Sequence, residues 1–227
     1  ATARLRIAVL GDSLTGDRPA KPYLHAYLKW PDLLGLMLET SVGLDQVHVI
    51  NAGWAGDKTG PKPNEGWPGA ADRLQADILD HRPDIVIILI GGNDKPRNDT
   101  EREATAQRLD QIAADLRNAN VRTLFCLYPE ALPDPQQPHK AWDLTQSNAL
   151  IRQAAERHGH PVLDLQPAVA AATLKHPRTE LVNPVDGVHL APRGEMVFAR
   201  AVFDRLRELQ WHHPPAPPRN APPVPHD

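Results

Sequence analysis

The stretch RIAVLGDSLT, residues 6–15, decides the fold of this 227-residue chain. Its apolar run contains β-branched residues and stops abruptly at Gly11, which predicts a buried strand, Arg6–Leu10, followed by a tight turn. That turn carries Ser13, and the chain contains only two other serines, Ser41 and Ser147. A hydroxyl placed where a buried strand stops is the first indication of a functional site at that end of the strand.

Short apolar runs alternate with helical patterns along the rest of the chain. Further strands are predicted at residues 46–50, 85–90, 121–127 and 161–165. The run 85–90 is apolar throughout, as expected for a central parallel strand that is covered on both faces. Helices are predicted at residues 30–40, 69–80, 100–118, 143–158 and 192–210. Thr100, with Glu103 three residues on, is expected to cap the third of these helices. The alternation favours an α/β fold with a central parallel sheet of about five strands and helices on both faces.

The composition argues against several classes of partner. The formal net charge is −3, and no long Lys/Arg run gives the footprint expected of a nucleic-acid or anionic-membrane binder. No apolar stretch approaches the ~20 residues of a membrane-spanning helix, so no membrane insertion is expected. The single cysteine, Cys126, rules out an internal disulfide and a thiolate metal cluster, and its predicted strand makes it an inert core thiol.

The domain organisation is expected to be simple. Residues 1–211 are predicted to form one domain, and residues 212–227, with seven prolines in sixteen positions, a disordered tail. The first residue is Ala1 rather than Met, which fits removal of either a signal peptide or an expression tag. The compartment is therefore open between secreted, periplasmic and cytoplasmic, and the sequence does not indicate an oligomeric state.

Small and polar residues follow three of the predicted strands. The first strand is followed by Gly-Asp-Ser at 11–13, the second by Asn-Ala-Gly at 51–53, and the third by Gly-Gly-Asn-Asp at 91–94. Each segment taken alone also fits an ordinary turn or helix cap. Because the carboxyl ends of parallel strands meet at one edge of a sheet, the three segments are expected to lie together.

A fourth segment, NPVDGVHLAPRG at 183–194, supplies Asp186 and His189 just before the last predicted helix. A carboxylate three residues before a histidine can hold one ring nitrogen and leave the other facing outward. A serine hydroxyl needs such a base to become a nucleophile, and the oxyanion formed in acyl transfer needs fixed hydrogen-bond donors. The predicted catalytic set is Ser13, His189 and Asp186, with the N–H groups of Ser13 and Gly53 and the Asn93 amide as oxyanion donors.

These segments resemble the SGNH/GDSL hydrolase family. Its four blocks occur in order as GDSLT at 11–15, NAGWAGD at 51–57, GGND at 91–94 and DGVHL at 186–190. The resemblance implies a flavodoxin-like three-layer α/β/α sandwich and the same five roles: Ser13 as nucleophile, His189 as base, Asp186 as its orienting carboxylate, and Gly53 and Asn93 as oxyanion donors. It also implies an ester hydrolase that needs neither cofactor nor metal.

The substrate is expected to be a small-molecule or carbohydrate ester with a short acyl group, such as acetyl. Lysophospholipids and thioesters are alternatives within the family, and a non-catalytic binding module is a further one. A phosphate-binding turn after the first strand is disfavoured, because the segment lacks a P-loop lysine and carries Asp12 and Asp17. Trp54 and Trp67 lie near the second block, where they can contact the substrate or simply pack beneath a loop.

Overall fold

The computed structural model describes residues 4–16, 28–62, 64, 66–132, 143–184 and 186–213. Five strands form one parallel sheet: β1 Leu5–Gly11, β2 Val47–Gly53, β3 Ile85–Leu89, β4 Arg122–Leu127 and β5 Val162–Asp164. Their order across the sheet is β2-β1-β3-β4-β5. The predicted α/β fold with a five-stranded parallel sheet is thus confirmed. The proposed tail from residue 214 onward and residues 133–142 of the loop after β4 lie outside the described residues.

Seven α-helices occur in the described part: α1 Trp30–Val42, α2 Ala70–Asp77, α3 Asp99–Asn118, α4 Thr145–Arg157, α5 Gln166–Thr173, α6 Arg178–Leu181 and α7 Pro192–Glu208. They pack in two sets. In the first set α3 contacts α2 and α4, and in the second set α7 contacts α1, α5 and α6. The chain moves one way across the sheet from β1 to β2 and the other way afterwards. Because parallel crossovers are right-handed, this reversal places helices on both faces.

The register of the sheet brings three strand ends into one row. Gly11, the last residue of β1, pairs with Gly53 of β2 on one side and with Leu89 of β3 on the other. The strand order reverses at β1, and ligands of open α/β sheets bind at such a point, beyond the carboxyl ends of the strands. Strand β3 is completely buried, which fits its unbroken apolar sequence.

Some predicted boundaries change for local reasons. The cap of α3 is Asn98, whose side chain accepts a hydrogen bond from the Glu101 N–H, so the capping box predicted at Thr100 is wrong. Asparagine is as good a cap as threonine, and here it comes first along the chain. Strand β2 continues through Asn51 to Gly53 because these residues still pair with β1. No helix among the described residues is long and apolar enough to cross a bilayer.

Candidate active site

The turn after β1 presents Ser13. The N–H groups of Thr15 and Gly16 donate to the Asp12 carbonyl at 3.0 and 2.9 Å, so the chain folds back immediately after Ser13. Gly11 is required for this turn, because a Cβ at that position would lie 2.1 Å from Thr15 Oγ1. The Ser13 side chain is half-buried at the end of the strand. The Ser13 hydroxyl is therefore held in a fixed place just beyond the end of a buried strand.

Ser13, His189 and Asp186 form a continuous hydrogen-bonded row. Ser13 Oγ lies 2.9 Å from His189 Nε2, and His189 Nδ1 lies 2.8 Å from Asp186 Oδ2. The other carboxylate oxygen, Asp186 Oδ1, accepts the N–H groups of Val188 and His189, both at 2.9 Å. Burial alone would raise the pKa of Asp186, but the hydrogen bonds from the His189 ring and these two N–H groups outweigh it and hold the pKa below its ordinary value. Asp186 is thus fixed as an anion that orients the imidazole.

The Asn93 amide is aimed by its neighbours. Its Nδ2 donates to the Asp57 carbonyl at 3.0 Å and, over a longer 3.4 Å, to Asp12 Oδ2. The first bond fixes the plane of the amide, and the second is at the weak limit of hydrogen bonding. One N–H of Asn93 is therefore oriented and only weakly engaged.

The second block contains two glycines with different surroundings. The Gly53 N–H already donates to Asn51 Oδ1 at 3.0 Å, so the donor role expected of it requires sharing that hydrogen. Gly56 is in a turn closed by the Asp57 N–H donating to the Trp54 carbonyl at 2.9 Å, and its φ of +81° favours glycine. Among the described residues, the Gly56 N–H has no protein acceptor, which makes it a second candidate donor. Its positive φ was not visible in the sequence.

Arg73 of α2 links the carboxyl ends of β1 and β2 to Asp57 of the second block. The buried guanidinium donates to the carbonyl oxygens of Gly11 at 3.3 Å and Ala52 at 2.7 Å. It also forms a two-pronged ion pair with Asp57 Oδ2, at 2.9 and 2.7 Å, and lies 4.8 Å from the Trp54 ring centre. Because the Asp57 carbonyl orients Asn93, this one side chain supports much of the site. Sequence inspection did not single it out.

Asp12 and Tyr128 form a buried pair directly behind the nucleophile turn. Asp12 Oδ1 accepts the Leu14 N–H at 3.0 Å, and Asp12 Oδ2 accepts the Tyr128 hydroxyl at 2.7 Å. Gly92 makes room for the tyrosine, because a Cβ there would lie 2.9 Å from its ring. Burial raises the pKa of Asp12 to about 6, despite these hydrogen bonds and the neighbouring His189. Asp12 therefore stabilises the turn through its hydrogen bond to Leu14, at an electrostatic cost.

We expect the free energy of unfolding of Asp12→Asn, relative to that of the wild type, to increase as the pH rises. A folded-state pKa near 6, raised from 3.8, means that the folded protein holds the Asp12 proton more tightly than the unfolded chain. The cost of ionising Asp12 is therefore absent below about pH 4, grows through the pH 4–6 window, and approaches roughly 3 kcal/mol above it. Denaturant unfolding at pH 4.5 and 7.5 measures this, with Asp45→Asn at an exposed loop position as control. A variant effect that does not change with pH would contradict the expectation.

The two tryptophans contact each other. Trp54 and Trp67 pack edge to face with ring centres 6.1 Å apart, and the Lys62 ammonium lies 4.8 Å from the Trp67 ring centre. Trp54, directly after Gly53, remains 36% exposed, whereas Trp67 is half-buried. Their predicted role in substrate binding stays a prediction, and Trp54 has the exposed surface for it.

The cysteine and the potential metal ligands form no second reactive site among the described residues. Cys126 is buried in β4, and burial raises the pKa of its thiol to about 12, so its structural role is confirmed. Among the residues that the structure describes, no group of three or more His, Cys, Asp and Glu side chains could hold a metal ion.

A parallel sheet that carries a Ser–His–Asp row at its topological switch point is the arrangement of a serine hydrolase. A family model described as GDSL-like lipase/acylhydrolase matches residues 9–197. The chain belongs to this family of ester hydrolases, as its four sequence blocks predicted.

Individual relatives are more distant. Thioesterase 1/protease 1/lysophospholipase L1 of Escherichia coli K12 is 32% identical over 125 residues, which are 55% of this chain and 51% of that protein. The matched part thus spans about half the length of this curated relative. The lipase/acylhydrolase of Enterococcus faecalis is similar in structure with a TM-score of 0.65 and 24% identity, over 90% of this chain and 96% of that one. An acetylxylan esterase of Geobacillus stearothermophilus gives a TM-score of 0.66 and 21% identity, over 91% and 94%. Because both structures are less than 25% identical to this chain, their similarity supports the fold alone.

Proposed function

We propose that this protein is a serine esterase that hydrolyses short-chain, acetyl-type carboxylic esters through an acyl-enzyme. The observation that carries the proposal is the unbroken row from Ser13 Oγ through the His189 ring to Asp186 Oδ2, with contacts of 2.9 and 2.8 Å. Nucleophile, base and orienting carboxylate are thus within hydrogen-bond reach before any substrate binds.

The reaction proceeds in two halves. Ser13 Oγ attacks the ester carbonyl as its proton passes to His189 Nε2, and the oxyanion is held by the Ser13 N–H, the Asn93 amide and a glycine N–H of the second block. The C–O bond to the alcohol then breaks, and His189 gives its proton to the leaving oxygen. In the second half, His189 takes a proton from water, and the resulting hydroxide attacks the acyl carbon. The bond between the acyl carbon and Ser13 Oγ then breaks as His189 returns the proton to Oγ, which releases the acid.

A small cavity next to the nucleophile turn supports the proposal of a small acyl group. A cavity of about 20 Å³ is lined by Leu14, Val188, Leu190 and neighbouring, mostly apolar side chains. Leu14 directly follows Ser13 in the chain, and Val188 directly precedes His189. A volume of that size holds about one water molecule, and hence a group of methyl size.

Turnover across an acyl series from two to sixteen carbons tests the acyl preference. We expect kcat/KM to be highest for acetyl or propionyl esters and to fall with chain length, with no loss in the presence of a chelator. Esters and thioesters of equal acyl length, measured side by side, separate this proposal from the thioesterase alternative suggested by the E. coli relative. An optimum at eight carbons or more would overturn the short-acyl assignment.

A carbohydrate alcohol is the finer part of the proposal. The exposed part of the Trp54 ring directly follows Gly53 and offers a flat surface on which a sugar can stack. The acetylxylan esterase with the same fold acts on an acetylated sugar polymer, as its name states. Acetate release from acetylated xylooligosaccharides should fall in Trp54→Ala, whereas turnover of a simple acetyl ester should not. Good turnover of simple acetyl esters without sugar deacetylation would keep the esterase and remove the carbohydrate.

A further inference from the structure

A second concave surface opens beside Asn93, on the side of the site formed by the second and third sequence blocks. This cationic cleft, as we call it, has a volume of about 550 Å³. Its charged lining is Lys58, Asp94, Lys95, Arg97, Glu101 and Arg108. Clefts of this size hold small-molecule ligands, and Asn93 joins this one directly to the proposed oxyanion site.

The charges of the cleft do not balance. Four cations face two carboxylates, and one of the cations, Arg97, is paired with Glu101 at 3.0 Å. The Asp94 carboxylate accepts the Thr59 N–H at 3.0 Å and hydroxyl at 2.5 Å, which binds it to the second-block loop. Among the described residues, neither Lys58 nor Arg108 has an ion-pair partner within 4 Å, and their charges act over a longer distance on Asp94, whose pKa they lower against the effect of burial. Two cations, Lys58 and Arg108, therefore share one carboxylate, Asp94, next to Asn93.

The local structure fixes the position of one of these cations and places another in a strained turn. The Arg108 guanidinium packs directly on the backbone of Gly60, where a Cβ would lie 2.3 Å from its Cζ. Lys95, which precedes a proline, has a φ of +44°, a strained conformation for a residue other than glycine. Burial, and then the charge of Lys58, lower the pKa of Lys95, as expected where like charges are brought together.

We propose that the cationic cleft is a subsite for an anionic group, a carboxylate or a phosphate, carried by the ester substrate. Guanidinium and ammonium groups are the side chains that recognise both kinds of anion. Because Asn93 lines the cleft, a substrate whose anionic group binds there would have its ester carbonyl near Asn93. The inference rests on the proposed esterase function and adds the charge of the substrate to it.

Matched ester pairs test the subsite. One pair is acetylglycerol phosphate and acetylglycerol, and the other is acetylated glucuronic acid and acetylated glucose. We expect the wild type to prefer the anionic member of at least one pair by about tenfold or more in kcat/KM, mainly through KM, and to lose the preference at high salt. Which pair shows the preference distinguishes phosphate from carboxylate.

Two variants that each remove one positive charge, together with one control, test whether the preference for anionic esters arises in the cationic cleft. Lys58→Gln and Arg108→Gln should each reduce the anionic-to-neutral ratio several-fold. Arg102→Gln, which removes an exposed α3 arginine paired with Asp99 outside the cleft, should retain the ratio. Because Arg108 packs on Gly60, Lys58→Gln provides the test that does not depend on this packing.

A binding measurement separates failure of the subsite from failure of the esterase. Calorimetric titration of glycerol 3-phosphate and of glucuronate into Ser13→Ala needs no turnover. Hydrolysis of neutral and anionic esters at equal rates, with no heat of binding, would overturn the subsite and leave the esterase intact. Binding that Lys58→Gln weakens, without hydrolysis of any ester, would uphold the anion site and overturn the proposed activity.

Discussion

Ser13→Ala and His189→Ala should each reduce kcat/KM for an acetyl ester by roughly 10⁴–10⁶-fold, with the fold intact. The two side chains act as one unit, because Ser13 Oγ, 2.9 Å from His189 Nε2, depends on that nitrogen to remove its proton. The double variant should therefore lose little more activity than either single variant. Purified variants are compared by initial rates, with unfolding curves to verify that stability is retained.

Matched controls and a third variant make this expectation specific. Ser41→Ala and His48→Ala change exposed residues outside the site and should retain full activity. Asp186→Asn should lose roughly 10²-fold less activity than His189→Ala, because the base is still present and only its orientation and tautomer are disturbed. A His189→Ala variant with near-normal turnover would remove the mechanism.

Asn93→Ala should lower kcat by roughly 10²–10³-fold with a smaller change in KM. Its Nδ2 is oriented by the Asp57 carbonyl at 3.0 Å, and its weakly engaged hydrogen gains most once negative charge develops on the substrate oxygen. The interaction therefore belongs to the transition state, and its loss should appear in the chemical step.

Asn118→Ala at the exposed end of α3 is the control for an asparagine removed elsewhere. Separate kcat and KM values from full saturation curves decide the matter. A loss seen only in KM would assign Asn93 to substrate binding in the ground state and would contradict its role as an oxyanion donor.

The parallel sheet, and the position of the sequence blocks at one edge of it, could be predicted from the sequence for a simple reason. Continuous apolar runs such as Ile85–Leu89 are hard to place anywhere but in a covered parallel strand, and parallel strands end at one edge. Polar residues that directly follow those runs must then meet, whatever the exact bounds of the strands. This rule placed Ser13 and Asn93 at the same edge of the sheet before any coordinate was known.

The supporting contacts could not be predicted in the same way. Tyr128 lies 116 residues from Asp12 along the chain, and Arg73 is 62 residues from Gly11, so neither contact leaves a local pattern. Tyr128 nevertheless directly follows β4, and the rule applied to the first three strands would have identified it. The φ of Gly56 depends on loop geometry that residue types alone do not specify.

Labelling with a fluorophosphonate tests the central claim most directly, because the reagent forms a covalent adduct with an activated serine and not with an ordinary hydroxyl. We expect one adduct per chain by intact mass, located at Ser13 by peptide mapping and absent from Ser13→Ala. His189→Ala should label far more slowly, while Ser41→Ala should label as the wild type does. Folded protein that stays unlabelled at Ser13 would contradict the account.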